Sequence, residues 1–309
     1  MKYRHAFHAG NFADVHKHVT LLALVRLMVR KDKGLLLLDT HAGRGLYDLG
    51  GTEARKGGES EAGVERLLES NGAATTPEIG DYLAVVRGLR KSRNARDAYP
   101  GSPLIALAAL RPQDRIVLIE SQPEEHAALR SAMRSAARAA ARNPAADPAA
   151  EAATASAKDV SMLTIECDDG FVRLAAWLPP LERRALVLID PPYEDTSGDF
   201  RAVEQAAKES LRRLANAVIA IWYPIKHGKD TDAWRQRLVA ALPRQAGGVA
   251  TTACALELWV HPPDNRVGLN GSGMLVINPP FQFAERAAEW LPALHAALDP
   301  TRSGGCAVR

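Results

Sequence analysis

Cysteine is scarce in this chain. There are three, Cys167, Cys254 and Cys306, and none forms a C-x-x-C pair. That excludes a disulfide framework and a cysteine-built zinc site. Long apolar runs are missing too: no stretch reaches the ~18 residues of a membrane span. The opening MKYRHAFHAGN has no apolar core of the kind a signal peptide needs. A soluble, cytoplasmic protein is the expectation. Charge of one sign is also in short supply. The net charge is +3, too mild to announce a polyanion partner by itself. There is no internal repeat.

What is present describes a folded α/β chain. Hydrophobic residues make up 47% and charged residues 24% of 309 residues, enough for a packed core. The length suits one large domain with an insertion. Basic charge is concentrated locally. The first 45 residues hold eight Lys/Arg against three acids, and His5, His8, His16 and His18 fall in the same stretch. Arg87, Arg90, Lys91, Arg93 and Arg96 form a second cluster, opposed only by Asp97. Such clusters can meet phosphates, although each also suits a solvated helix face.

Residues 17–31 show helical spacing. LLLLD (35–39) is a short apolar run that ends in an acid and a small-residue turn, the pattern of a buried parallel strand. RIVLIE (115–120), MLTIEC (162–167), ALVLID (185–190) and AVIAIW (217–222) repeat it, with helical patterns at 103–111, 123–142, 200–214 and 230–241. The alternation predicts a mostly parallel sheet with helices on both faces. CALELWV (254–260) and GMLVINPP (273–280) predict an antiparallel hairpin closing the sheet edge. About 75 residues separate the first strand from RIVLIE, more than one crossover helix needs. Residues 50–98 are therefore expected as an inserted helical subdomain in a core of 1–49 and 99–309. The alanine-rich stretch 131–158 is expected to extend a helix and then run as a flexible loop.

Four strand exits carry candidate chemistry. Asp190-Pro191-Pro192-Tyr193 follows ALVLI, where open α/β sheets bind ligands. Two prolines make a rigid turn with few backbone donors. The turn offers a carboxylate, a carbonyl and an aromatic face, the parts that hold an amino group on a planar base. Asp39-Thr40-His41-Ala42-Gly43-Arg44-Gly45 follows the first strand, and its small residues, Gly43 among them, let a cofactor approach the backbone. It is no dinucleotide fingerprint, because Asp48 occupies the third glycine slot. Glu120 closes RIVLIE, where an acid can accept ribose hydroxyls. Asp168-Asp169-Gly170-Phe171 follows the third strand, where a carboxylate can take an adenine amino group or simply cap a helix. The histidines complete no recognisable ligand spacing, so no metal is expected.

The strand succession, the glycine-rich turn and D-P-P-Y resemble the class I amino-methyltransferases that act on adenine N6. More narrowly, Tyr3-Arg4-His5-Ala6-Phe7-His8-Ala9-Gly10-Asn11 and Ala13-Asp14-Val15-His16-Lys17-His18 resemble the bacterial RlmJ family. So do Asp39-Thr40-His41-Ala42-Gly43, Tyr99-Pro100-Gly101-Ser102-Pro103, Trp222-Tyr223-Pro224 and Ser272-Gly273-Met274. The likeness covers essentially the whole chain, and its chief departure is the long alanine-rich stretch.

The resemblance implies a seven-stranded Rossmann-like sheet and S-adenosylmethionine as cofactor. The implied partner is 23S rRNA, protein-free or in an early assembly intermediate, met by a monomer. It implies cofactor contacts from His18, His41, Ser102, Glu120, Asp169 and Gly170, with Lys17 beside them. Asp190 would take the amino group, Pro191 and Tyr193 would complete its turn, and Tyr3, Arg4 and His5 would meet RNA. The chemistry expected is direct in-line methyl transfer, with Asp190 and the Pro191 carbonyl accepting the N–H hydrogens and Tyr193 stacking on the base. Three rivals remain open: a DNA adenine-N6 methyltransferase, a non-catalytic RNA-binding assembly factor on the same scaffold, and a methyltransferase acting on a protein amide.

Overall fold

The computed structural model describes residues 5–70, 76–142, 162–226, 228–244, 246–262, 265 and 268–309. Asn11 starts the first long helix, α1 (Phe12–Met28), and its side chain accepts from the Asp14 amide at 2.8 Å. Helix α1 is buried almost all round, from Ala13 to Val25. The run LLLD then forms β1 (Leu36–Asp39), buried at every position as a central strand should be.

Strands β2 (Leu46–Asp48) and β3 (Ala98–Pro100) pair antiparallel and bracket a helical insertion. The insertion contains α2 (Thr52–Gly57), a π-turn at Glu61–Glu65, α3 (Arg66–Glu69) and α4 (Pro77–Arg93). It brings Val64, Leu67, Ile79, Tyr82, Leu83 and Val86 into the same apolar cluster as α1, so it shares the main core.

The chain continues through α5 (Ser102–Leu107), β4 (Arg115–Ile119), α6 (Pro123–Arg142), β5 (Leu163–Glu166), α7 (Gly170–Trp177) and β6 (Ala185–Ile189). It ends with α8 (Thr196–Arg213), β7 (Val218–Ile225), α9 (Gly228–Ala240), β8 (Ala253–Trp259), β9 (Gly271–Ile277), α10 (Phe283–Leu298) and β10 (Gly305–Val308). Helix α6 covers the start of the alanine-rich stretch; residues 143–158 of that expectation lie outside the described residues.

One sheet runs β10-β8-β9-β7-β6-β1-β4-β5. The five strands from β7 to β5 are mutually parallel, and β9 runs against β7. Along β1 the side chains alternate: Leu37 joins the core under α1, α5 and α10, while Leu36 and Leu38 join the core under α7, α8 and α9. This is a class I methyltransferase fold with helices on both faces.

Two expectations need correction. The sheet has eight strands, because Gly305–Val308 adds antiparallel to β8. Its Gly-Cys-Ala-Val lacks the run of large apolar residues that marks the other strands. The 254–280 hairpin does form, but it does not close the edge. Strand β9 passes inside β8 to pair with β7, and β10 covers the β8 edge with a short strand.

Candidate active site

Strand order reverses at β1, so the carboxyl ends of β1 and β6 open side by side, paired in parallel with Asp39 opposite Leu188. Crevices at such switch points are where open α/β sheets bind ligands. Here a cleft of about 1950 Å³ opens, and His5, Lys17, His18, His41, Gly43, Ser102, Glu120, Asp190, Pro191 and Tyr193 all line it. Asp169 and Gly170 are not among its lining residues.

Helix α1 delivers the site's cation. Lys17 Nζ donates to Asp190 Oδ2 at 2.6 Å and lies 2.8 Å from Asp14 Oδ1, with only 6% of its side chain exposed. Burial opposes its charge, but Asp14 and Asp190 outweigh that and raise its pKa well above the usual lysine value. Asp14 is the hub beneath. Its Oδ2 also accepts from His5 Nε2 at 3.0 Å and from the Gly10 amide at 3.1 Å. Burial pushes its pKa up, and His5, Lys17 and His18 together pull it well below the ordinary carboxylate value.

The β1 exit forms the second wall. Gly43 has φ +60, and a Cβ there would sit 2.6 Å from the Tyr47 hydroxyl, so the turn needs glycine. The Gly43 amide donates to Glu120 Oε2 at 2.9 Å and the Gln122 amide to Oε1 at 2.7 Å. Burial raises the Glu120 pKa. Asp39, 1% exposed, accepts from Ser102 Oγ at 2.7 Å and from the His41 amide at 3.2 Å. Burial first, with Asp190 nearby, pushes its pKa up to about 7. Thr40 Oγ1 gives its hydrogen to Leu188 O at 3.0 Å, so the His41 Nδ1 contact at 2.8 Å is a donation from the ring. Burial lowers the His41 pKa to about 4 and keeps the ring neutral.

The D-P-P-Y turn forms the third wall. Tyr193 has φ +52 and is 4% exposed. Its hydroxyl donates to Trp222 O at 2.7 Å, and its ring packs on Phe200 and Trp222 at centroid distances of 4.8 and 5.6 Å. Behind it, Trp222 Nε1 donates to Ser272 Oγ at 3.0 Å, and Ser272 Oγ meets His16 Nδ1 at 3.0 Å.

The remaining expected residues are placed differently. Asp169 Oδ1 accepts from the Phe171 and Val172 amides at 2.8 and 3.2 Å and so caps α7. Gly170 lies against the β1 exit, where a Cβ would come 1.9 Å from Thr40 O. Phe171 reaches the site by packing on His41 at 4.8 Å. Tyr3 and Arg4 lie outside the described residues. Two site residues carried no expected role, Asp14 and Asp39. Each stands inside a quoted motif, but only the fold shows what its carboxylate holds.

The second basic cluster is split. Arg90 turns inward to Glu65, at 2.5 Å, and to Ala98 O, at 3.1 Å. Arg87, Lys91 and Arg96 are exposed. No helix among the described residues is long and apolar enough to cross a membrane.

A cleft at the switch point of this sheet, with Lys17 buried between Asp14 and Asp190, is the ligand site of a class I methyltransferase scaffold. The comparisons narrow the class. The family model "Ribosomal RNA large subunit methyltransferase D, RlmJ" matches residues 32–155 and 152–309. "Ribosomal RNA large subunit methyltransferase J" of Escherichia coli is 37% identical over 308 residues, covering 100% of this chain and 98% of that protein. Its namesake in Haemophilus influenzae is 36% identical over 309 residues, with the same coverage. A crystal structure of protein LPL1258 from Legionella pneumophila superposes with a TM-score of 0.77 at 28% identity, covering 98% of each chain. The chain belongs to the RlmJ family of methyltransferases.

Proposed function

We propose that this protein transfers a methyl group from S-adenosylmethionine to the N6 nitrogen of an adenine in 23S rRNA. The observation that carries the reading is the D-P-P-Y turn, anchored by Lys17 beside the Gly43 cradle. The residues present fit the cofactor. Gly43 presents bare backbone to the cleft, Glu120 stands at the end of β4 for ribose hydroxyls, and His18 Nε2 is a buried polar atom with no hydrogen-bond partner among the described residues. Lys17, His41 and Ser102 stand beside them, while Asp169 caps α7 and Phe171, two residues on, packs on His41. When bound, the cofactor supplies an electrophilic methyl group on a sulfonium.

This chain's own residues do the rest. Lys17 fixes Asp190 through one oxygen. The other oxygen and the Pro191 carbonyl serve as acceptors for the two amino hydrogens, which steers the nitrogen lone pair; as N6 gains the methyl group, its surplus proton passes to the free Asp190 oxygen or to water. Pro191 and Pro192 have no amide N–H to compete for these acceptors. Position and electrostatics suffice, because the donor is intrinsically reactive. Tyr193 is the stacking face for a base that has been unstacked from its RNA. The insertion, 50–98, offers the exposed Arg87, Lys91 and Arg96 to phosphates, and Tyr3, Arg4 and His5 are the residues proposed to contact the RNA.

The test is transfer of labelled methyl to protein-free 23S rRNA, 16S rRNA and duplex DNA, with nucleoside analysis. N6-methyladenosine from 23S rRNA alone is expected. Label on DNA alone would overturn the substrate and keep the chemistry. No transfer to any of them would overturn the protein-free RNA substrate.

A further inference from the structure

Starting at His18, which lines the cleft, three buried groups stand in a row between the insertion and α1. Tyr82, on α4, is 0% exposed, as is Tyr99, on β3, and His18, on α1, is 1% exposed. The two hydroxyls are 3.1 Å apart, and the Tyr99 hydroxyl lies 2.9 Å from His18 Nδ1. On the far side of the ring, Nε2 is buried and has no hydrogen-bond partner among the described residues. Burial lowers the His18 pKa to about 3 and raises both phenol pKa values. All three groups are therefore neutral at neutral pH.

Three neutral groups share three mobile protons, and both contacts can be filled in three ways. If Tyr82 and His18 Nδ1–H both donate to the Tyr99 oxygen, the buried Tyr99 hydrogen is left without an acceptor. In a second order His18 Nδ1–H donates to Tyr99, and Tyr99 donates to Tyr82. The Tyr82 hydrogen is then buried with no acceptor, which incurs the desolvation penalty of an unmade hydrogen bond. It also turns the Nε2 lone pair toward Asp14 Oδ1, 3.9 Å away. In the third order Tyr82 donates to Tyr99 and Tyr99 donates to Nδ1. Every hydroxyl hydrogen is then used, and Nε2 carries a hydrogen on the side of the Asp14 carboxylate. Geometry and electrostatics select the third order. The same comparison at His41 gives the opposite answer, since Thr40 has already given its hydrogen to Leu188 O.

We infer that Tyr82 and Tyr99 are positioning residues that lock His18 as the Nε2–H tautomer, a neutral donor kept for the carboxylate of the methyl donor. The carboxylate is the one anionic group of that ligand, and an unpartnered N–H in a cleft wall calls for a strong acceptor. Through Tyr82 the helical insertion thereby sets cofactor affinity, a task separate from RNA docking. The inference rests on the reading of the cleft as the S-adenosylmethionine site.

The test uses the full chain labelled with ¹⁵N-histidine, with His18→Gln to assign its resonances. Two-bond ¹H–¹⁵N correlation then distinguishes the protonated from the unprotonated ring nitrogen. A pure Nε2–H pattern for His18 is expected without ligand. Tyr99→Phe should give a mixture of tautomers and weaken S-adenosylhomocysteine binding about tenfold by calorimetry, and Tyr82→Phe about two- to threefold. An Nδ1–H pattern in the wild type would overturn the inference. So would a Tyr99→Phe protein, wild-type in circular dichroism and unfolding, that binds as tightly as the parent. If Tyr99→Phe does not fold, the wild-type spectrum and Tyr82→Phe decide. Failure of the wild type to bind S-adenosylhomocysteine would instead remove the cofactor reading and the carboxylate with it, while the spectrum still tests the proton order.

Discussion

Lys17 concentrates the electrostatics of the site, since one buried ammonium serves two carboxylates. Its two partners have different duties, and substitutions should separate them. Asp190→Asn keeps the shape of the turn but replaces a charged acceptor with an amide. Methyl transfer should fall at least about a hundredfold, as for loss of a preorganised group that acts on the reacting atoms. S-adenosylhomocysteine affinity should stay within about threefold. Single-turnover transfer and calorimetry check the two halves. Asp14→Ala is expected to fail differently. It leaves the buried lysine with Asp190 as its one carboxylate partner and removes the acceptor of the buried Gly10 amide. A loss of about 2–3 kcal/mol of stability is expected, read from urea unfolding, because a buried donor loses its acceptor and a buried ammonium loses one of its two counter-charges. A stability within about 1 kcal/mol of wild type would show that water reaches Lys17 freely.

At the scale of elements, the β1 exit is held from two sides. Ser102, at the head of α5, ties it to Asp39, and the start of α7 presses on it through Gly170. Gly170→Ala places a methyl carbon into the Thr40 carbonyl, so α7 or the turn must move. A stability loss of about 1–3 kcal/mol is expected, typical of overpacking. Cofactor affinity should fall as well, because the same turn carries His41 and Gly43. Thermal unfolding and S-adenosylhomocysteine titration together check this. A stability loss with unchanged affinity would mean that α7 alone yields. The insertion is bound to the core at the same scale: Tyr82, Leu83 and Val86 pack in the main apolar cluster, and Arg90 is committed to Glu65 and to the β3 backbone.

For the molecule as a whole, the buried titratable groups predict a pH profile. His16 and His18 have folded pKa values near 3 and His41 near 4, against 6.5 when free. Between about pH 4 and 6.5 the unfolded chain therefore binds protons at these sites and the folded chain does not, so their contribution to stability falls as pH falls. Asp39 works the other way. Its folded pKa is raised from 3.8 to about 7, so its contribution is full below about pH 4 and is lost as pH rises toward 7. The raised pKa of Glu120 has the same sign. Three depressed histidines outweigh two raised acids. The urea midpoint should drop from pH 7 to pH 5, and His16→Gln should flatten that slope. A midpoint that rises on acidification would mean that the acids dominate.

The local sequence determined the parts. Continuous apolar runs ending in acids marked β1, β4 and β6, because a strand buried on both faces shows no polar alternation, and the half-buried edge strand β5 carried a similar short run. The prolines of D-P-P-Y and the small residues of 42–45 marked the two turns, because rigidity and close backbone approach each demand particular residues. Asp14, Asp39 and the row from Tyr82 to His18 were not legible. Asp39 meets Ser102 from 63 positions away and His18 meets Tyr99 from 81, and even for Asp14, whose partners are close in the chain, a carboxylate in a sequence does not reveal what it faces. The place of β9 inside β8, and of β10 on its edge, was likewise settled by strand pairing across the sheet. Propensity acts over a few residues, whereas burial, pairing and tautomer depend on neighbours that only the folded chain brings together.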